Sequence, residues 1–180
     1  FTAVFIIIFC VYWLVRVSHF ALHLVAAYRQ MKINMKVNWR EKLLQLPVAQ
    51  QIYHLVILPT YKEEIGVLRD SVQALVQAQC QKDKMIVVLA IEERAGSQAQ
   101  DNARVMTEEF GDKFFKFLVT YHPVNIEGEI AGKGSNESWA GREVKKQIID
   151  PLGIPYENII VSCFDSDTQV YPQYFSCLTY

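Results

Sequence analysis

The first fifteen residues, FTAVFIIIFCVYWLV, contain one polar side chain, Thr2. No other feature restricts the fold so much, because such a run must be covered either by protein or by lipid. A bilayer crossing takes about 20 predominantly apolar residues. The run reaches that length downstream, through residue 28, if Arg16, His19 and His23 are tolerated, or upstream, ahead of Phe1. Tyr12, Trp13 and Arg16 have the character of an aromatic belt with a snorkelling cation, which places the interface near residue 13. Val17, Ala21, Leu24 and Tyr28 then share one face, as in an interfacial helix. A cleaved signal peptide would need a basic leading region and a small-residue cleavage site, and neither is present. A buried helix of a soluble core is the alternative.

Charge is divided along the chain. Residues 1–50 carry six Lys/Arg against Glu41, a net +5, while residues 51–180 carry twelve basic and eighteen acidic residues, a net −6. A basic, apolar head on an acidic body points to a membrane attachment followed by a folded domain. Nucleic-acid binding is disfavoured, since the body has no basic stripe. The basic cluster from Arg29 to Lys42 follows the apolar run, and the positive-inside bias puts the body on the cytoplasmic side. Cys10, Cys80, Cys163 and Cys177 form no CxxC pair and no zinc spacing, which suggests buried free thiols in a reducing compartment. A chain that is 51% apolar cannot be a disordered tail.

Within the body, apolar runs alternate with helical stripes. HLVILP (54–59), MIVVLAI (85–91), FFKFLVTY (114–121) and NIIVSCF (158–164) read as four strands. Between them, Ile65, Leu68, Val72, Leu75 and Val76 recur at helical intervals, as do Ala99, Ala103, Met106 and Phe110, and then Ala140, Val144 and Ile148. Strands alternating with helices predict an α/β fold, with a mostly parallel, Rossmann-like sheet covered on both faces. The expected organisation is a transmembrane or interfacial helix over 1–28, a basic juxtamembrane linker over 29–51, and the folded domain over 52–180.

Ligands of such sheets sit beyond the carboxyl ends of the strands. Three of the four strand ends run into acidic groups: Thr60-Tyr61-Lys62-Glu63-Glu64, Glu92-Glu93-Arg94 and Asp165-Ser166-Asp167-Thr168. Carboxylates gathered on one rim repel each other unless a cation or hydrogen-bond donors lie among them. In extended geometry Asp165 and Asp167 point the same way, about 6.5–7 Å apart. Such a pair can reach Mg²⁺ or Mn²⁺, hard ions that keep waters and take substrate phosphates; a solvated turn is the alternative. Lys133 lies between Gly132 and Gly134, where an ammonium can pair with a phosphate or simply occupy a flexible loop. The loop is not a P-loop, whose spacing differs, and no GxGxxG follows the first strand. Asn136-Glu137-Ser138 is formally a glycosylation sequon, which a cytoplasmic loop would leave unmodified.

Taken in order, HLVILPTYKEE, VVLAIEE, GKGSNESWAGREV and IIVSCFDSD resemble the family 2 glycosyltransferases of GT-A fold, in their membrane-anchored, cellulose- and hyaluronan-synthase-like branch. The resemblance covers about residues 52–177. It implies that Thr60, Tyr61 and Glu63 cradle the base and ribose of a nucleotide-diphosphate sugar, most simply a UDP-sugar. Glu92, or Glu93, takes the place of the acid that contacts the base; Lys133, with Asn136 nearby, lies beside the donor. Asp165 and Asp167 match the DxD that holds the metal and the sugar diphosphate. The implied reaction transfers the sugar, with inversion, to a hydroxyl of a lipid or polysaccharide acceptor. The general base of this family lies in an ED-like motif well beyond the DxD, and neither it nor QxxRW follows Asp167. Both ends of the sequence have the look of cuts, so a fragment that binds better than it catalyses is expected. Two alternatives remain: a haloacid-dehalogenase-like phosphotransferase, whose DxD follows the first strand rather than the fourth, and a membrane-tethered nucleotide-binding module without chemistry.

Overall fold

The computed structural model describes residues 1–180. It divides into two units, Phe1–Asn38 and Trp39–Tyr180.

The first unit is one helix, α1 (Thr2–Asn34), with no buried residue. At about 1.5 Å per residue its 33 residues extend roughly 50 Å. Its best 18-residue window has a mean hydropathy of 2.0, so the helix is long and apolar enough to cross a membrane. It runs six residues past the expected end at 28. The reason is local: the chain has no Gly or Pro before Pro47, and Gln30, Met31 and Lys32 are good helix formers. Gln30 also donates to Asn34 Oδ1 at 3.0 Å, one turn on.

The second unit starts at Trp39, so part of the expected linker is folded. A short helix α2 (Trp39–Leu44) leads to a 3₁₀ turn at Pro47–Gln51. Helix α2 is held from far along the chain. The Trp39 N–H donates to Gln173 Oε1 at 2.7 Å, and the Trp39 ring lies 5.5 Å from that of Tyr180, just beyond helix α6 (Tyr174–Thr179).

The sheet consists of β1 (Tyr53–Thr60), β2 (Met85–Glu92), β3 (Lys116–His122) and β4 (Ile159–Cys163). All pairings are parallel and the order is β3-β2-β1-β4. The α/β class, with a parallel sheet flanked by helices and preceded by a long apolar helix, is therefore as expected. Parallel strands need crossovers, here α3 (Ile65–Gln77), α4 (Ser97–Phe110) and α5 (Lys133–Val144), the last prolonged by a π turn at Lys145–Ile149.

Along β1 and β2 successive side chains feed opposite cores. Val56, Leu58, Val87 and Leu89 pack with Leu68, Val72 and Leu75 of α3, Met106 and Phe110 of α4, and Phe175 of α6. Leu55, Ile57, Ile86 and Val88 pack with Ala140 and Val144 of α5 and with Ile148 and Ile149. The two central strands are thus buried on both faces, which is why they read as unbroken apolar runs. Strand β3 starts two residues later than expected, with Phe114 in the first core and Phe115 against the second. The four thiols are free; Cys163 is exposed rather than buried, because β4 is an edge strand, and Cys10 lies on α1, where no other part of the chain covers it.

Candidate functional site

After β1 the chain steps outward through β2 to β3, then crosses back to β4 on the other side of β1. The carboxyl ends of β1 and β4 therefore flank the point where the strand order reverses, the place where open α/β sheets bind ligands. A cleft of about 130 Å³ lies there. Thr60, Tyr61, Glu63, Glu92, Lys133 and Asp165 all line it, together with Pro59, Asn136 and Ser166. Asp167 does not.

Each wall has its own support. Thr60 ends β1, is buried, and its hydroxyl donates to the Ala90 carbonyl at 3.4 Å. The Tyr61 N–H donates to Glu63 Oε2 at 2.6 Å, closing the turn that leads into α3. That turn is tied down by Asn102 of α4, whose Nδ2 donates to the Glu63 carbonyl at 3.2 Å. Glu92 ends β2, is only 6% exposed, and pairs with the Arg94 guanidinium. Arg94 in turn lies 5.2 Å from the centre of the Tyr61 ring, so cation and aromatic face join two strand ends. Glu93 points elsewhere: its Oε2 accepts from the Val124 N–H at 3.4 Å, so Glu92 is the acid that faces the cleft.

The opposite wall is the start of α5. The Ser135 hydroxyl accepts from the Gly132 N–H at 2.9 Å and donates to the Gly132 carbonyl at 2.7 Å, fixing the first turn. Lys133 pairs with Asp165, with Glu137 3.8 Å away. The hydrogen bond to Asp165 and then the nearby carboxylate charges hold the ammonium above its ordinary range. Asn136, expected in a loop, is on α5 and 1% exposed. Its Nδ2 donates to the Ala90 carbonyl at 2.8 Å, while its Oδ1 is buried with no partner. Such burial closes the sequon to modification.

The DxD differs from its expected geometry. β4 ends at Cys163, and Asp165–Thr168 form a turn closed by the Thr168 N–H on the Asp165 carbonyl at 2.9 Å. The carboxylates are therefore not alternate residues of an extended strand. Asp165 enters the cleft and Asp167 leaves it. The turn is anchored between them, where the buried Ser71 hydroxyl of α3 donates to the Ser166 carbonyl at 2.7 Å. No three His, Cys, Asp or Glu side chains converge as a metal cage, and the one DxD carboxylate in the cleft already holds an ammonium. Of the two DxD carboxylates, Asp165 alone faces the cleft, where an ion would have to share it with Lys133.

A second recess of about 160 Å³ shares Glu92 with the first, and Arg94 and His122 are part of its wall. His122 ends β3 and is 4% exposed; its Nε2 lies 3.1 Å from Glu129 Oε1, and the Trp139 ring meets it edge-on at 5.8 Å. Sequence reasoning singled out neither His122 nor Asn102. His122 carries a usable signal, since it closes a strand at the ligand-binding end of the sheet; Asn102 carries none, being one polar residue on a helix. No protein-family model matches the chain, and no curated protein matches it.

Proposed function

We propose that the folded unit binds a nucleotide-diphosphate sugar, a UDP-sugar in the simplest case, in the cleft at the carboxyl ends of β1 and β4. The observation that carries this reading is convergence. Six residues chosen by motif from four separate stretches of chain line one depression at the point where the strand order reverses. Thr60, Tyr61, Glu63 and Glu92 would face the base and ribose. Lys133, the free end of the α5 dipole and its first N–H groups would face the diphosphate, where fixed positive charge is most effective. Asp165 would then exchange its ammonium for the donor sugar. Mg²⁺ or Mn²⁺, suggested by the family resemblance, would offset diphosphate charge, and for Asp165 and Asp167 to share an ion the turn between them would have to reorganise.

The transfer itself would join the acceptor oxygen to the anomeric carbon, break that carbon's bond to the β-phosphate oxygen, and pass the acceptor proton to a base. The carboxylates in the cleft are engaged: Glu63 by the Tyr61 N–H, Glu92 by Arg94 and Asp165 by Lys133. That observation favours a second reading, nucleotide-sugar binding without transfer. In either case α1 would anchor the unit in a membrane, and the basic run from Arg29 to Lys42 favours the cytoplasmic side. The acceptor would be a lipid or polysaccharide hydroxyl.

Calorimetric titration of the full chain in detergent with several nucleotide sugars, with and without Mg²⁺ or Mn²⁺, tests the reading. Saturable binding that weakens at least tenfold in Lys133→Met is expected. No binding of any nucleotide sugar under either condition overturns it, and sugar transfer to added acceptors separates the two readings.

A further inference from the structure

At the opposite end of the sheet is a recess that the proposed chemistry does not use. It holds about 200 Å³ between Arg40, Leu43 and Leu44 of α2, Ala49 of the 3₁₀ turn, and Cys80 and Ser176 beyond them. Residues 79–81 follow α3 and precede β2, so the recess lies at the amino ends of the strands, away from the cleft. Arg40, Leu43 and Leu44 are spaced i, i+3, i+4 and share a helical face. Leu44, Leu46 and Val48 are 72%, 39% and 67% exposed, an uncovered apolar ridge beside that face. Arg40 is exposed and enters none of the ion pairs that engage every other arginine of this unit, Arg69, Arg94, Arg104 and Arg142.

Chain geometry narrows what can cover this ridge. Helix α1 ends at Asn34 and α2 begins at Trp39. Five residue steps of at most about 3.5 Å keep α2 within roughly 18 Å of the end of α1. If α1 crosses a bilayer and leaves it at residue 28, just before the basic run, its last six residues add about 9 Å, and α2 stays within reach of the headgroup layer. The charge suits such a neighbour: Arg29, Lys32, Lys36, Arg40 and Lys42 fall within fourteen residues that hold one acid, Glu41. Basic residues beside an apolar ridge are the composition of a segment that lies in an anionic lipid interface.

We propose that residues 39–51 form a docking surface for anionic phospholipid, with Leu44, Leu46 and Val48 entering the headgroup–acyl boundary and Arg40 meeting a lipid phosphate at the recess. The unit then rests on the leaflet by the amino ends of its strands, and the cleft at their carboxyl ends opens to water. This surface rests on α1 being a bilayer-spanning helix, and not on what the cleft binds.

The test uses the full chain in nanodiscs of phosphatidylcholine alone or mixed with phosphatidylglycerol. A single nitroxide is placed at native Cys10, at Val48→Cys, or at Val161→Cys on the exposed edge strand, with the remaining cysteines changed to Ser. Collision with oxygen, which concentrates in lipid, is compared with collision with a water-soluble nickel chelate. The Cys10 and Val48→Cys labels should both favour oxygen in anionic nanodiscs, and the Val161→Cys label the chelate. Arg40→Gln with Lys42→Gln should return the Val48→Cys label to water while Cys10 stays in lipid. A Val48→Cys label in water beside a Cys10 label in lipid refutes the docking surface and leaves the anchor standing. A Cys10 label in water refutes both. A Val48→Cys label shielded from both probes regardless of lipid charge shows that protein covers the ridge, and likewise refutes the proposal.

Discussion

The ring of His54 is the most informative titration in the folded unit. His54 sits on the central strand β1, opposite Met85 on one side and Ile160 on the other, and is 6% exposed. Its ring packs 4.9 Å from that of Phe175. Nε2 lies 2.8 Å from Thr179 Oγ1, and that hydroxyl donates to the Phe175 carbonyl at 2.9 Å. The hydroxyl proton is thus committed, so Nε2 carries the hydrogen and donates to Thr179. Nδ1 is then a bare acceptor, buried with no partner. Protonating it would place a charged N–H in the core with nothing to receive it. Burial, and secondarily the charge of Lys82, lower the His54 pKa from 6.5 to about 4. At about 1.4 kcal/mol per unit, the difference is worth about 3 kcal/mol. The sign follows from proton counting. Between pH 6.5 and about 4 the unfolded chain binds a proton that the folded chain refuses, so this stability is present above 6.5 and lost as pH falls towards 4. Below that value both states are protonated and no more is lost. Urea unfolding of the full chain in detergent, followed by near-ultraviolet circular dichroism at pH 7 and pH 4, should show the parent losing about 3 kcal/mol more than His54→Leu. Thr179 keeps its bond to Phe175 in that variant, and His122 and the carboxylates cancel in the comparison. Parallel losses in the two proteins, or an NMR titration of His54 near 6.5, would refute the reasoning.

Three further substitutions probe the cleft and its supports. Ser71→Ala removes the hydroxyl that anchors the Ser166 carbonyl; nucleotide-sugar affinity measured by calorimetry should fall severalfold, and unfolding should report a loss of about 1–3 kcal/mol for the buried acceptor left unpaired. Arg94→Gln leaves the Glu92 carboxylate uncompensated beside the base and ribose of an anionic donor, so affinity should drop and the double variant with Glu92→Gln should recover most of it. Gly96 has a φ of +88°, with open space where a Cβ would go, so Gly96→Ala should cost about 1–2 kcal/mol of stability through backbone strain alone, with nucleotide affinity unchanged.

The parts of the fold legible in the sequence are those set by local periodicity. Leu68, Val72 and Leu75 mark α3, and Ala103, Met106 and Phe110 mark α4, because a helix facing one core must repeat its apolar residues each turn. The strands are legible as apolar runs, but the assignment of Leu55 and Val56 to different cores is not, since burial on both faces erases the alternation. Residues 39–51 read as a linker because what orders them is remote: Gln173 receives the Trp39 N–H across 134 positions of sequence. The strand order was equally hidden, for it depends on β4 choosing the free edge of β1 over that of β3.

The candidate site was legible in composition and not in geometry, and the carboxylates show why. A rim of acids suggests a missing cation when only the acids are counted. In the folded unit Glu92 and Asp165 each meet a cation from the same chain. Arg94 is two residues from Glu92, and Lys133, set between two glycines, reads as a phosphate partner or a loop residue rather than as the partner of Asp165. What periodicity could not supply was the turn at Asp165–Thr168, which follows a strand ending one residue early at Cys163 and sends Asp165 and Asp167 apart. If a diphosphate enters, Lys133 is the group that must choose between it and Asp165. Its removal should weaken the anion's binding while leaving Asp165 uncompensated. A divalent ion then has its best chance at Asp165 in the Lys133→Met variant. Manganese binding measured by electron paramagnetic resonance, without nucleotide, should therefore be tighter in Lys133→Met than in the parent chain. Equal binding in the two would mean that the Lys133–Asp165 pair does not govern access to this carboxylate.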